Sequence, residues 1–262
     1  MLEAVVNISE GADAAVVNVI AAAAGDDLLD VHADRHHNRS VLTLVGEAAA
    51  RAVTSAGVAR LDLRRHTGVH PRIGVVDVVP FVPLAGSTLG DAVAARDRFV
   101  RWVAAELGVP AFAYGPERTL PEVRRGAFSG LAPDAGPPRP HPSAGAVAVG
   151  ARPPLVAWNL WLVDPDLPRA REVATALRDE HVRALGLPVG DRVQVSLNLV
   201  APDIVGPADA WDRVAALVPV AGAELVGLVP QAVLDRTDPD RWGQLDLSPD
   251  RTIEARLARR GG

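Results

Sequence analysis

The sequence predicts an α+β chain in two halves, each a sheet with helices packed on it, on three observations. From residue 2 to residue 84, short β-branched runs alternate with apolar stretches at helical spacing. A segment dense in Pro and Gly, residues 131–145, interrupts that pattern. Past Gly150 the alternation restarts, so the halves are set at 1–150 and 151–262. Nearly half of the residues are apolar, mostly Ala, Val and Leu, so each half can fill a core with small side chains.

LEAVVNI (2–8) reads as a strand because it is apolar and β-branched. Residues 11–25 have helical spacing and stop at Gly25. DLLDVHA (27–33) is a second strand, DRHHN (34–38) a polar turn, and RSVLTLVG (39–46) a third strand. EAAARAVTSAGVARL (47–61) is a second helix, and IGVVDVVPFVPL (73–84) a fourth strand. The order β-α-β-β-α-β is that of a ferredoxin-like unit, with two helices on one face of an antiparallel sheet. Its other face must be covered or serve as a binding surface, and an uncovered face makes a homodimer an expectation. An amphipathic helix from Ser87 to Gly108 and a strand, VPAFAYG (109–115), follow. The composition of 131–145 is that of a linker. It nonetheless carries Asp134, Arg139 and His141 between strand-like flanks, which leaves a structured lid as the alternative.

In the second half, LVAWNLWLV (155–163), DRVQVSLNLV (191–200) and AELVGLVP (223–230) read as strands. Residues 168–182 read as a helix with Pro at its start, 206–218 as another, and 248–260 as a third capped by Ser248. The fold class is therefore two ferredoxin-like α/β sandwich subdomains, and ligand sites favour the cleft between such halves.

Composition excludes several functions. The net charge of -5 carries no basic surplus for nucleic acid. With no cysteine there is no disulfide, thiolate ligand or cysteine nucleophile, which fits a reducing cytoplasm. The N-terminus has no basic leader followed by an apolar segment, and the apolar run near residues 14–25 is too short for a bilayer. No phosphate-binding Gly loop and no G-x-S-x-G elbow occurs.

Chemistry concentrates in RRHTGVHPRIG (64–74). His66 and His70 have zinc-like i, i+4 spacing, but Gly68 and Pro71 argue against a helix there. HADRHHN, with His32, His36 and His37, matches no zinc pattern, so no metal is expected. Arg64 and Arg65 read as a solvated helix end. His70 and Arg72, between a Gly-containing turn and a buried strand, read as a base in a cationic loop. Neighbouring arginines would keep the imidazole neutral and attract an anionic substrate. Polar residues also interrupt apolar strands. Asn7 ends the first strand, Asn38 and Arg39 open the third, and Asn159 sits within LVAWNLWLV. Gln194, Ser196 and Asn198 share one strand face at period two and fit a polar ligand surface.

VVNISEG, NRSVLTLVG, DLRRHTGVHPRIGVVDVVPFVPL, VRRGAFSGL, PDAGPPRPHPSAGAVAVGARPPLVAWNL, QVSLNL and AELVGLVP, in this order, resemble the glutamate formiminotransferase family. The resemblance runs from Val5 to about Leu234, and the HPR and PHPSAG segments are its most specific parts. It implies two α/β subdomains around a folate cleft and transfer of a formimino group from N-formimino-L-glutamate to tetrahydrofolate. It makes His70 the catalytic residue and the proline-rich loop, with His141, part of the folate site. It leaves Arg39, Arg72 and Arg152 to hold the carboxylates of the substrates. The chain departs from the family pattern at Val69, where an acidic residue is common, at Ala135, and at Trp161 in place of a second asparagine. Two alternatives stand beside this reading. One is a related one-carbon or amidine transferase with another donor. The other is a non-catalytic folate-binding homologue.

Overall fold

The computed structural model describes residues 1–68 and 70–260. Val69, one of the departures above, lies outside the described residues. The chain divides into two compact units, Met1–Pro153 and Pro154–Gly262.

The first unit runs β1 (Leu2–Ile8), α1 (Ala14–Ala21), β2 (Leu28–Asp34), β3 (Arg39–Val45), α2 (Gly46–Arg60), β4 (Val76–Pro83), α3 (Leu89–Leu107), β5 (Ala111–Tyr114), α4 (Leu120–Gly126) and β6 (Val147–Ala151). Its sheet has the order β2-β3-β1-β4-β6-β5. The first four strands pair antiparallel, whereas β4, β6 and β5 are parallel. Alternation splits the sheet into two faces. Val147 and Val149 pack with Ile20 of α1, Val53 of α2 and Phe99 of α3 on one face. Ala146 and Ala148 pack with Val123 of α4, Phe112 and Tyr114 on the other.

Local chemistry explains the ends of these elements. Thr88 and Asp91 form a reciprocal capping box at the start of α3, and Gly108 closes it in the left-handed region at φ 64°. Such a cap contributes about 1 kcal/mol. The first helix was expected to reach Gly25, but it is α-helical only to Ala21. Tighter 3₁₀ turns continue to Asp27, with Gly25 at φ 57° where the chain turns into β2.

The second unit runs β7 (Val156–Leu162), α5 (Leu167–Leu177), β8 (Val182–Val189), β9 (Arg192–Leu199), α6 (Pro207–Ala215), β10 (Val220–Val226), α7 (Gln231–Asp235) and α8 (Ile253–Arg259). Its antiparallel sheet has the order β10-β7-β9-β8. Trp158 is fully buried in the core, and its indole N–H donates to Leu245 O at 3.0 Å, tying the C-terminal segment to the sheet.

Two sequence expectations are corrected here. The helix expected over 168–182 ends at Leu177, and an entire strand, β8, follows. The signal for it was VGDR: Gly190 and Asp191 make a two-residue hairpin turn, with Gly190 at φ 62°. Pro188 is tolerated because β8 is an edge strand. The C-terminal helix starts at Ile253 with Thr252, not Ser248, as its cap. Thr252 Oγ1 accepts from the Ala255 N–H, while Ser248 precedes a separate 3₁₀ turn. No helix among the described residues is long and apolar enough to cross a membrane.

Candidate active site

The site grows from a buried carboxylate. β1 and β4 pair Ile8 with Val76 and Asn7 with Val78, so Asp77 is the extra residue of a β-bulge. Bulges re-aim side chains, and this one turns Asp77 into the interior, fully buried. Oδ1 accepts the Ile73 N–H at 2.8 Å. Oδ2 accepts Arg39 Nη1 at 2.7 Å and Arg124 Nη2 at 2.6 Å. Burial by itself would raise the carboxyl pKa. The two guanidiniums and the Ile73 N–H outweigh it and hold Asp77 below its ordinary value. Arg39 also donates to Asn7 Oδ1 at 3.0 Å, and Asn7 Nδ2 donates to Val5 O, so Asn7 orients the arginine.

The loop before β4 brings the imidazoles to this cluster. His70 Nδ1 lies 2.8 Å from Pro71 O. A carbonyl only accepts, so Nδ1 carries the ring proton and Nε2 is left with its lone pair. Arg124 Nη1 donates to the same carbonyl. Arg72 folds back on the loop: Nε and Nη2 donate to His70 O at 3.0 and 2.6 Å, and Nη1 to the His66 ring. His66 Nε2 in turn donates to Asn38 O at 2.9 Å. Asn38, at φ 47°, accepts from the Gly11 and Ala12 N–H groups through Oδ1 and donates to Thr67 O through Nδ2. A Cβ at residue 68 would sit 2.6 Å from His37 O, so glycine is required for this close approach.

Burial, followed by the charges of Arg39 and Arg124, lowers the His70 pKa to about 3, against a smaller opposing pull from Asp77. The ring is thus neutral over the physiological range, with the lone pair on Nε2. The acid limb of kcat/KM that belongs to His70 is therefore expected below the ordinary histidine range. In Arg124→Gln it is expected to move upward. An acid limb near pH 6.5 in the native chain, unmoved in Arg124→Gln, would contradict the assignment. The same shift sets a stability window. The unfolded ring takes up its proton near pH 6.5 and the folded ring near 3, so the contribution is present above 6.5 and fades as pH falls towards 3.

Beside the loop lies a cavity of about 420 Å³, lined among others by Arg124, Ile73, Phe128, Pro140 and His141. The proline-rich segment forms its wall and is held in place. His141 and Gly145 exchange backbone hydrogen bonds, Ser143 O accepts the Leu63 N–H, and Asp134 bonds Ala113 N and Arg118. His141 Nδ1 accepts the Ala144 N–H at 3.0 Å, so its proton is on Nε2 and that ring is a donor.

The structure thus brings Asn7, Asn38, Arg39, His70 and Arg72 into one cluster, with His141 on the adjacent cavity. Arg72 braces the loop through contacts internal to it, and Asn38 ties the loop to the segment after β1. Arg152 stands apart, after β6, with its N–H on Phe81 O and Nη1 on Pro153 O. In the second unit, Gln194, Ser196 and Asn198 alternate with the buried Val193, Val195, Leu197 and Leu199, and so share the sheet face away from that core. Asn159 is opposite Ser196 and donates to Glu224 at 3.1 Å, while Gln194 is fully buried with no hydrogen-bond partner among the described residues. Trp158 and Trp161 fall on opposite faces, and Trp161 is covered by the Arg192 guanidinium at 4.1 Å. Sequence reasoning missed Asp77 and Arg124. TLPE (119–122), a capping-box signature that starts α4, was the available signal for the second.

Residues 1–152 match the formiminotransferase domain, N-terminal subdomain. The chain is 35% identical to the glutamate formimidoyltransferase of Streptococcus pyogenes serotype M1, over 89% of this chain and 90% of that protein. It is 33% identical to the glutamate formimidoyltransferase of Thermoplasma acidophilum, over 90% of each. It is 34% identical to the formimidoyltransferase-cyclodeaminase of Sus scrofa, over 90% of this chain and 51% of that longer protein. With the match over more than half of its length and this shared coverage, the chain belongs to the formiminotransferase family.

Proposed function

We infer that the chain is a glutamate formimidoyltransferase, which moves the formimino group of N-formimino-L-glutamate to tetrahydrofolate in histidine degradation. Relatives matched over 90% of their own length carry that name. The observation that carries the chemistry is His70, neutral, with Nδ1–H on Pro71 O and the lone pair on Nε2.

The secondary amine of the folate forms a bond to the formimino carbon, and its proton goes to His70 Nε2. The bond from that carbon to the glutamate nitrogen then breaks, and the nitrogen takes up a proton to leave as an amine. Holding both reactants in place supplies much of the rate, and a positioned acid/base roughly 100- to 10,000-fold. Arg124 on the cavity wall and Arg39 behind it suit anionic substrates, and the donor Nε2–H of His141 suits a polar acceptor of the folate. Asn159, Gln194, Ser196, Asn198 and Arg152 are proposed as further substrate contacts. We read the β2-β3-β1-β4 order, with α1 and α2 on one face, as a ferredoxin-like core.

The test is direct. The purified chain, given tetrahydrofolate and N-formimino-L-glutamate, is expected to release glutamate and form formimino-folate in equal amounts. Folate binding with no glutamate released, but turnover on another amidine, would replace the donor in this reading.

A further inference from the structure

The turn between β2 and β3 holds a second imidazole against His70 that the mechanism above leaves unused. His37 is only 8% exposed. Its Nδ1 lies 2.9 Å from Asp34 Oδ2, while Asp34 Oδ1 accepts the His36 and His37 N–H groups at 2.7 and 2.8 Å. One carboxylate therefore fixes both the turn and the ring. Asp34 is held ionised, with a pKa of about 2. Burial acts to raise that value and is outweighed by the bonds and charge of His37. On the far side of the His37 ring, Nε2 is buried and has no hydrogen-bond partner among the described residues. The His37 and His70 rings meet edge to face, with centroids 6.2 Å apart and planes at 82°.

These observations belong together. A buried polar atom without a partner costs stability, so native proteins seldom keep one away from a working site. A carboxylate on one nitrogen of an imidazole fixes its tautomer and stabilises the imidazolium when the other nitrogen gains a proton. The transfer reaction moves a proton at each of two nitrogens, and the His37 ring packs against the ring that serves the first.

We propose that His37, oriented and charge-balanced by Asp34, is the second proton-transfer group of the His70 site. The proposal rests on the formimino-transfer reading. His70 Nε2 takes the proton of the attacking amine as the new C–N bond forms. The His37 imidazolium gives its Nε2 proton to the glutamate nitrogen as the old C–N bond breaks. A proton then returns from His70 to His37, so the enzyme ends each turnover unchanged and no net proton is released.

The experiment compares wild type, His37→Gln, Asp34→Asn and His37→Ala. His37→Gln keeps a polar side chain that carries no transferable proton. Asp34→Asn keeps Oδ1 as the acceptor of the turn, removes the charge and replaces the oxygen that faces His37 Nδ1 with an amide N–H. The expected result for His37→Gln is a fall in kcat of about tenfold or more, with KM for both substrates nearly unchanged. Asp34→Asn should lower kcat less, in the same pattern, and added imidazole should restore part of the kcat lost in His37→Ala. Unchanged kcat in His37→Gln beside an active wild type overturns this role alone. So does a loss shared by kcat, KM and melting temperature with no response to imidazole, which is the mark of a structural residue. An inactive wild type removes the transfer reading and this role with it.

Discussion

Replacing His70 by alanine is expected to lower kcat by roughly 100- to 10,000-fold with little change in KM. The range is that of a lost acid/base group, because positioning of the two substrates survives the change. Folding should be nearly unaffected. Among the described residues the ring makes one hydrogen bond, to Pro71 O in its own loop, and that carbonyl keeps Arg124 as a donor. The loop itself is braced from elsewhere, by Arg72 on His70 O and by Asn38 on Thr67 O. The measurement is steady-state transfer with both substrates varied, beside a thermal melt. Turnover within a few-fold of wild type would remove His70 from the chemistry. A large fall in melting temperature would recast it as structural.

The second large effect is on stability. Asp77 is the carboxylate that bonds both Arg39 and Arg124, and it is fully buried. Asp77→Ala leaves two guanidiniums facing each other with no counter-charge and leaves the Ile73 N–H unbonded. Breaking a buried pair in this way costs about 3–5 kcal/mol. The loss should appear as a shifted urea midpoint. Replacing Asp77, Arg39 and Arg124 together with apolar residues should recover part of it, because the penalty comes from uncompensated charge and not from lost attraction. A loss below about 1 kcal/mol in the single variant would show that the two arginines reach water in the native state.

The site was unevenly legible. His70 and Arg72 stood out because polar and cationic residues crowd a short loop before an apolar strand, which a core seldom demands. Asp77 was visible only as one carboxylate in VVDVVPF, which reads equally well as a wet-face residue. Its meaning depends on the bulge that places it inside, and a bulge is a property of pairing with β1. His37 was seen, but in a metal-ligand frame. Its partner Asp34 is a local turn contact that spacing permits, whereas its approach to His70 joins turns more than thirty residues apart.

What the sequence determined by itself is what local rules govern. Strand and helix periodicity placed β1 to β4 and α2, the restart past Gly150 and the order of the motifs, because alternation and capping act over a few residues. Arg124, 54 residues downstream of His70, joins the site only because α4 covers the second face of the sheet. The proline-rich segment is a cavity wall only because its carbonyls and amides bond to Leu63, Ala111 and Val75. Tertiary structure alone decided these, and also which histidine nitrogen is free. A tautomer follows from the nearest acceptor, and the chain supplies that acceptor only once it is folded.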